Sequence, residues 1–145
     1  MILMDIPALR DFLARDFPQV EDDVGIERLG EDGVALRLRV SERHLRPGRT
    51  VGGPSIFMLA DVAAYCAILS RIGPQALAVT TNAAIDFLRR PAADRDLLCE
   101  ATILKLGRVL VVADTRLYSD GLAPPVARAT FTYSIPPKAR HFEVS

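Results

Sequence analysis

The sequence predicts an α+β fold in which an antiparallel sheet of about six strands wraps around one long central helix, with a short helix at the N-terminus. Three observations predict it. The stretch "GGPSIFMLADVAAYCAILSRIG", residues 52–73, is apolar on nearly every helical face and so has to be covered on nearly every side. On both sides of it the hydrophobic period changes to two, as in strands with one wet face. The segments after it follow one another across short turns, which join antiparallel neighbours, because parallel pairs need long crossovers.

Each element has its own signal. In "ALRDFLARDF", Leu9, Phe12, Leu13 and Phe17 recur at helical spacing with charges opposite them, which gives a helix within residues 1–20. Pro18 stops it, and it is expected to lie on the body as a lid or cap. In "EDGVALRLRV", Val34, Leu36, Leu38 and Val40 face one way and Arg37 and Arg39 the other, after an Asp32-Gly33 turn, so a hairpin is expected. "SERHLRPGRT" reads as a loop, and the central helix follows with Ser55 as its N-cap and Gly73-Pro74 as its end. Four strands come next: "LAVTTNAAIDFL", "DLLCEATILKL", "RVLVVADTRLYS" and "PVARATFTYSI". They are separated by Arg89 to Arg95, by Leu106-Gly107 and by Asp120-Gly121, and are read as consecutive hairpins. Residues 1–145 are read as a single domain, with 137–145 as a loosely held tail. A helix wrapped by a curled sheet is the hot-dog arrangement.

Composition narrows the functions. Eighteen basic and eighteen acidic residues cancel, so the strongly basic field of a general nucleic-acid binder is missing. The opening Met1 to Met4 runs at once into Asp5 and Pro7, which is too short for a secretory apolar core. No uninterrupted apolar run reaches the length of a membrane span, and the longest candidate carries Asp61. The expectation is a cytoplasmic protein that neither spans a membrane nor binds nucleic acid. Cys66 and Cys99 stand far apart, with no spacing for a disulfide framework or a zinc site, and Cys66 reads as core packing.

Between Pro54 and Ser70, Asp61 is the only charged side chain. An unpaired buried carboxylate costs several kcal/mol, so this one has partners, sits at an opening, or is protonated. It is either an acid hydrogen-bonded at a subunit seam or a catalytic base or nucleophile. "TVGGPS" just ahead places a glycine turn at a helix N-terminus, where unsatisfied N–H groups and the dipole favour negative charge. A turn that can hold an oxyanion and a carboxylate two turns on are the two parts that acyl transfer needs.

The span from His44 to about Pro136, with "HLRPGRTVGGPSIFMLADVAAYCA", "AVTTNAAIDFLRRP" and "ILKLGRVLVVADTRLYSDG", resembles the PaaI-like branch of the hot-dog acyl-CoA thioesterases. The resemblance implies hydrolysis of an acyl-CoA to a free acid and coenzyme A. It also implies a homodimer or a dimer of dimers with sites at the subunit interface, and neither a metal nor a bound cofactor. Asp61 matches the catalytic acid, which orients or deprotonates a water or attacks the thioester. The family's His-Gly-Gly turn falls on Gly52, Gly53 and Pro54, which gives Gly53 the backbone N–H that polarises the carbonyl. Thr80 matches a hydroxyl contributed by the partner subunit, with Thr81 and Asn82 one or two places away in register. Arg89 and Arg90 match a basic end that holds the coenzyme A phosphates, with Lys105 and Arg108 at a hairpin turn assisting.

Two departures stand out. The turn lacks its histidine, and Arg46 replaces an asparagine often found upstream. They motivate a second reading, an acyl-CoA binder with little or no turnover. A third, a hydratase or dehydratase, needs a histidine paired with a carboxylate, and only His44 and His141 are available, neither on the central helix. Arg37, Arg39, Arg43, Arg46 and Arg49 are either a solvated strand face and loop or phosphate contacts. Ser55 has no histidine placed to activate it as a nucleophile, which leaves capping as its role.

Overall fold

The computed structural model describes residues 1–137. α1 (Ile6–Asp16) and a short α2 (Pro18–Glu21) lead into the hairpin β1 (Val24–Leu29) and β2 (Gly33–Leu38). A 3-10 turn at Glu42–His44 and a small ribbon, β3 (Leu45–Arg46) and β4 (Thr50–Val51), precede the central helix α3 (Gly53–Ile72). β5 (Val79–Phe87), β6 (Leu97–Leu106), β7 (Leu110–Ser119) and β8 (Pro125–Ser134) follow.

Six strands form one antiparallel sheet in the order β1-β2-β6-β7-β8-β5. α3 lies against β2, β6 and β7. The alternation read from the sequence places Leu36, Leu38, Leu97, Cys99, Val111, Leu117 and Phe131 on the covered face of the sheet, all fully buried. They meet Leu59, Ala63, Cys66, Ala67 and Ile68 of the helix. Fully burying a leucine or phenylalanine contributes roughly 1.5–3 kcal/mol, so this seam dominates stability. α1 buries Leu9, Phe12 and Leu13 and brings the Phe12 ring to 6.2 Å from Tyr65 of α3.

Three expectations are corrected. The strands after α3 are not all consecutive hairpins: β6, β7 and β8 form a meander, but β5 pairs with β8 at the sheet edge and not with β6. The connection across residues 88–96 is longer than a hairpin loop and carries the chain across to β2. Ser55 is not the N-cap. Pro54 suits the first helical turn, so the helix begins at Gly53 with Gly52 as its cap, and no side chain caps it. α3 is long and apolar enough to cross a membrane on length and composition alone, because a single acid and Arg71 do not lower its hydropathy enough. Its apolarity is used here to fill the core. The Gly73 end holds: its φ of 88° ends the helix in a conformation that glycine adopts freely. The tail assigned to 137–145 lies, beyond Pro137, outside the described residues.

β5 is exposed along its length, which is unusual for a strand rich in apolar residues. Its register on β8 sets Ala83 opposite Phe131, Ile85 opposite Ala129 and Phe87 opposite Ala127, so these three point to the covered face of the sheet. Among the described residues no helix covers that part: Phe87 keeps 55% of its surface exposed. On α3 a stripe through Pro54, Phe57, Met58 and Asp61 is likewise open or only partly buried.

Candidate active site

Asp61 sits midway along α3 on that open stripe, half-buried. Its Oδ1 accepts two hydrogen bonds, from Thr80 Oγ1 at 2.8 Å and from Tyr133 Oη at 2.7 Å. The phenol also lies 3.1 Å from the Asp61 carbonyl oxygen. Thr80 and Tyr133 are direct cross-strand partners on β5 and β8, so one face of the sheet presents both hydroxyls to the helix. A register shift between Thr80 and Asn82 marks a bulge at Thr81, which ends this alignment. Thr81 turns its hydroxyl to the Thr132 carbonyl at 3.2 Å, and Asn82 pairs with Thr132. Thr80 is therefore the residue that reaches the carboxylate, and Thr81 and Asn82 are not brought to it. The resemblance implies that this hydroxyl comes from the partner subunit; within one chain the β5–β8 register already delivers Thr80 to its own α3.

The carboxylate opens into a cavity of about 390 Å³ lined by Asp16, Phe17, Tyr65, Ala78, Thr80 and Tyr133, among others. The rings of Phe17 and Tyr65 meet edge to face at 6.1 Å, and Tyr65 stacks on Tyr133 at 6.0 Å. Burial and the nearby negative charge of Asp61 push the Tyr133 phenol well above its ordinary range, and burial pushes Tyr65 up to about 12. Both stay protonated donors across the neutral range.

The glycine turn forms a second, separate half-site. The Gly52 N–H donates to the His44 carbonyl at 2.9 Å and the Ser55 N–H to the Gly52 carbonyl at 3.1 Å, while Pro54 has no N–H. The Gly53 N–H has no partner among the described residues. Gly53 lines a groove of about 480 Å³ together with Arg46, Thr50, Phe87, Arg89 and Arg90. A Cβ on Gly53 would stand 3.6 Å from the Phe87 ring, so any larger side chain would project into the groove. His44 is buried and structural: its Nδ1 accepts the Ser41 N–H at 2.9 Å, and its carbonyl holds the turn.

The basic stretch separates into two groups. Arg37 is tied to Glu27, Asp96 and Asp120, Arg43 to Asp23, and Arg49 to Glu42 and Asp94. Arg39 donates to the Asp22 carbonyl at 2.8 Å. Arg46 has no acidic partner among the described residues, and neither do Arg89 and Arg90 on the same groove. Lys105 and Arg108 stand elsewhere. Lys105 pairs with Val112 next to the β6–β7 turn, near the end of the sheet marked by Thr80, whereas Arg89 follows Phe87 at the other end. The structure does not bring them to the arginine groove of their own chain.

Asp61 and Gly53 cannot serve one carbonyl within a chain. Eight residues apart on one helix, they are separated by roughly 12 Å at about 1.5 Å per residue, and they open into different cavities. Tyr133, 72 positions from Asp61, escaped the sequence reading; its signal is a tyrosine at an inward position of β8, where a buried hydroxyl needs a partner.

A helix clasped by a curled sheet, with an oriented carboxylate and an open helix N-terminus, defines a hot-dog protein equipped for acyl transfer. The family model for the thioesterase superfamily matches residues 48–125, just over half of the chain. The chain belongs to the thioesterase superfamily and is a thioester hydrolase. A crystal structure from Silicibacter sp. TM1040, provisionally assigned as a thioesterase, is 51% identical with a TM-score of 0.89, covering 94% of this chain and 95% of that one. The E. coli PaaI protein of the phenylacetic acid degradation operon shares the fold at 22% identity and TM-score 0.73, covering 87% of this chain and 94% of its own. A thioesterase-named protein with coenzyme A from Streptococcus pneumoniae TIGR4 does so at 22% and 0.74, covering 89% and 97%. None of the curated proteins of known function matches.

Proposed function

We propose that this protein is a cytoplasmic, single-domain homodimeric acyl-CoA thioesterase whose two sites each join Asp61 of one chain to Gly53 of the other. The observation that carries the reading is the separation of an anchored carboxylate and an unpaired N–H into two half-sites on one helix, each facing outward along an uncovered stripe. An isologous dimer through β5 and the open face of α3 brings the two kinds of half-site together twice. It also covers Ala83, Ile85 and Phe87.

In the completed site a water oxygen bonds to the thioester carbonyl carbon while its proton passes to the Asp61 carboxylate. The charge that builds on the carbonyl oxygen is taken by the N–H of Gly53 of the partner subunit and by the positive end of that helix. Collapse breaks the C–S bond. The thiolate leaves with the electron pair and takes up the proton from Asp61, giving a free acid and a thiol. Because the donor is a backbone amide, the absent turn histidine does not remove it. Arg46, Arg89 and Arg90 are the cations left for the nucleotide phosphates, and coenzyme A bound to the Streptococcus pneumoniae fold relative fits that assignment. The scheme uses water, side chains and a backbone amide, with no metal or bound cofactor.

Thiol release from short, medium, long and aromatic acyl-CoAs tests this, wild type beside Asp61→Asn. Turnover of some members of the panel by wild type and its loss in the variant is the expected result. Binding without turnover by wild type would make the protein an acyl-CoA binder, and equal turnover by both would remove Asp61 from the mechanism.

A further inference from the structure

The residue that the sequence reading missed has a defined place in the chemistry. Tyr133 is 3% exposed, and its ring is held by stacking on Tyr65 and by the β7 and β5 neighbours of β8. It has one proton to give, and the short contact, 2.7 Å, is to Asp61 Oδ1. Thr80 gives its own proton to the same oxygen at 2.8 Å. Asp61 Oδ2 has no hydrogen-bond partner among the described residues, and the side chain lines the cavity. The two oxygens of the carboxylate are thus chemically different before any substrate arrives.

We propose that Tyr133 is a positioning residue for thioester hydrolysis: with Thr80 it anchors Asp61 through Oδ1, so that Oδ2 is the oxygen that receives the proton of the attacking water. The inference rests on the thioesterase reading of Asp61 and adds to it which oxygen reacts and which group makes it so. Two donors on one oxygen fix the plane of the carboxylate and keep it from rotating on its own bond, which is what alignment of a base with its water requires. Donors to the ionised form also favour that form. The cost of ordering is met in advance: a cross-strand pair on a sheet carries both hydroxyls, so neither has to be recruited from solvent.

The pH profile isolates this role. Around Asp61 the other titratable groups are Asp16 at the end of α1, and Tyr65 and Cys66 on α3 beside Tyr133. Burial keeps Tyr65 and Cys66 protonated up to about 12, so carboxylates alone titrate on the acidic side. Removing one of the two donors takes away a contact that favours the ionised base, so the acidic limb of kcat/KM is expected to move to higher pH. Tyr133→Phe is expected to lower kcat by about 10- to 100-fold, the range of a hydrogen bond to a charged group, with little change in KM and with the acidic limb shifted upward. A purely structural tyrosine would move the Tm and leave the limb in place. Should Tyr133→Phe fail to fold, 3-fluorotyrosine at position 133 keeps the shape and strengthens the donor, and it is expected to move the limb to lower pH.

An acidic limb and kcat unchanged in Tyr133→Phe, or a limb unmoved by the fluorinated side chain, would overturn the proposal. Asp61→Asn run in parallel separates the two levels. Turnover in Asp61→Asn would remove the thioesterase reading of Asp61 itself, whereas an inactive Asp61→Asn beside a wild-type-like Tyr133→Phe would remove only the role of Tyr133.

Discussion

Replacing Arg46, Arg89 and Arg90 by alanine, singly and together, tests whether the groove beside Gly53 holds the nucleotide. All three guanidinium groups are exposed and lack a carboxylate among the described residues; Arg89 Nε donates to the Pro125 carbonyl at 2.9 Å, which leaves its terminal nitrogens to meet a phosphate. Opposite unit charges at about 4 Å gain roughly 1 kcal/mol in bulk water and more near a low-dielectric wall, which corresponds to a loss of about five- to tenfold in affinity per arginine. The triple variant is expected to lose about 100-fold in kcat/KM for an acyl-CoA, mostly through KM, because the phosphates lie away from the reacting carbon. The assay compares an acyl-CoA with an acyl-pantetheine thioester that has the same acyl group and no nucleotide. Only the first should suffer, and its loss should shrink with added salt, since the screening length falls to about 10 Å at about 0.1 M. Equal losses on both substrates, or none on either, would refute the assignment. Lys105→Ala and Arg108→Ala, made alongside, show whether the hairpin turn acts from the other subunit.

Two further expectations concern the core and the open edge. Cys66 and Cys99 are fully buried and burial raises both thiols, that of Cys66 to about 12, so neither should react with an aromatic disulfide reagent at neutral pH until the protein unfolds. Fast labelling of the native protein would contradict this. Ala83 faces the covered side of the sheet but is exposed in the single chain, so Ala83→Glu costs the monomer little and places a charge in the expected interface. Light scattering should find a folded monomer with activity lost; an active dimer at the same concentration would count against β5 as the seam.

What the sequence disclosed and what it withheld follow from how local each signal is. α3 was legible because a helix apolar all round leaves only one way to be buried, and β6, β7 and β8 because alternation survives in any antiparallel sheet. The place of β5 was not legible. Its pattern is that of any strand, and only the length of the 88–96 connection hints that it pairs elsewhere. The cap was misplaced by the usual preference for serine, which here yields to a proline that starts the helix one turn earlier. Asp61 and Gly53 were found through local contrast, a charge in an apolar run and a glycine turn before a helix. Arg46 could not be told from its four neighbours, because ion pairs to Glu27, Asp23 or Asp94 are set by strand and loop contacts distant in sequence. Tyr133 was hidden for the same reason: its link to Asp61 exists only in the β5–β8 register.

The most direct test of the composite site is subunit complementation. Asp61→Asn removes the base, and Gly53→Leu fills the groove at the oxyanion donor, starting from a Cβ already 3.6 Å from Phe87. Each variant alone should be inactive. A mixed dimer, purified through two different tags, pairs the intact Gly53 of one chain with the intact Asp61 of the other in one of its two sites, so the account predicts about half of wild-type turnover. A mixed dimer as inactive as its parents would mean that Gly53 and Asp61 do not meet across the interface, and the two-chain site would fall.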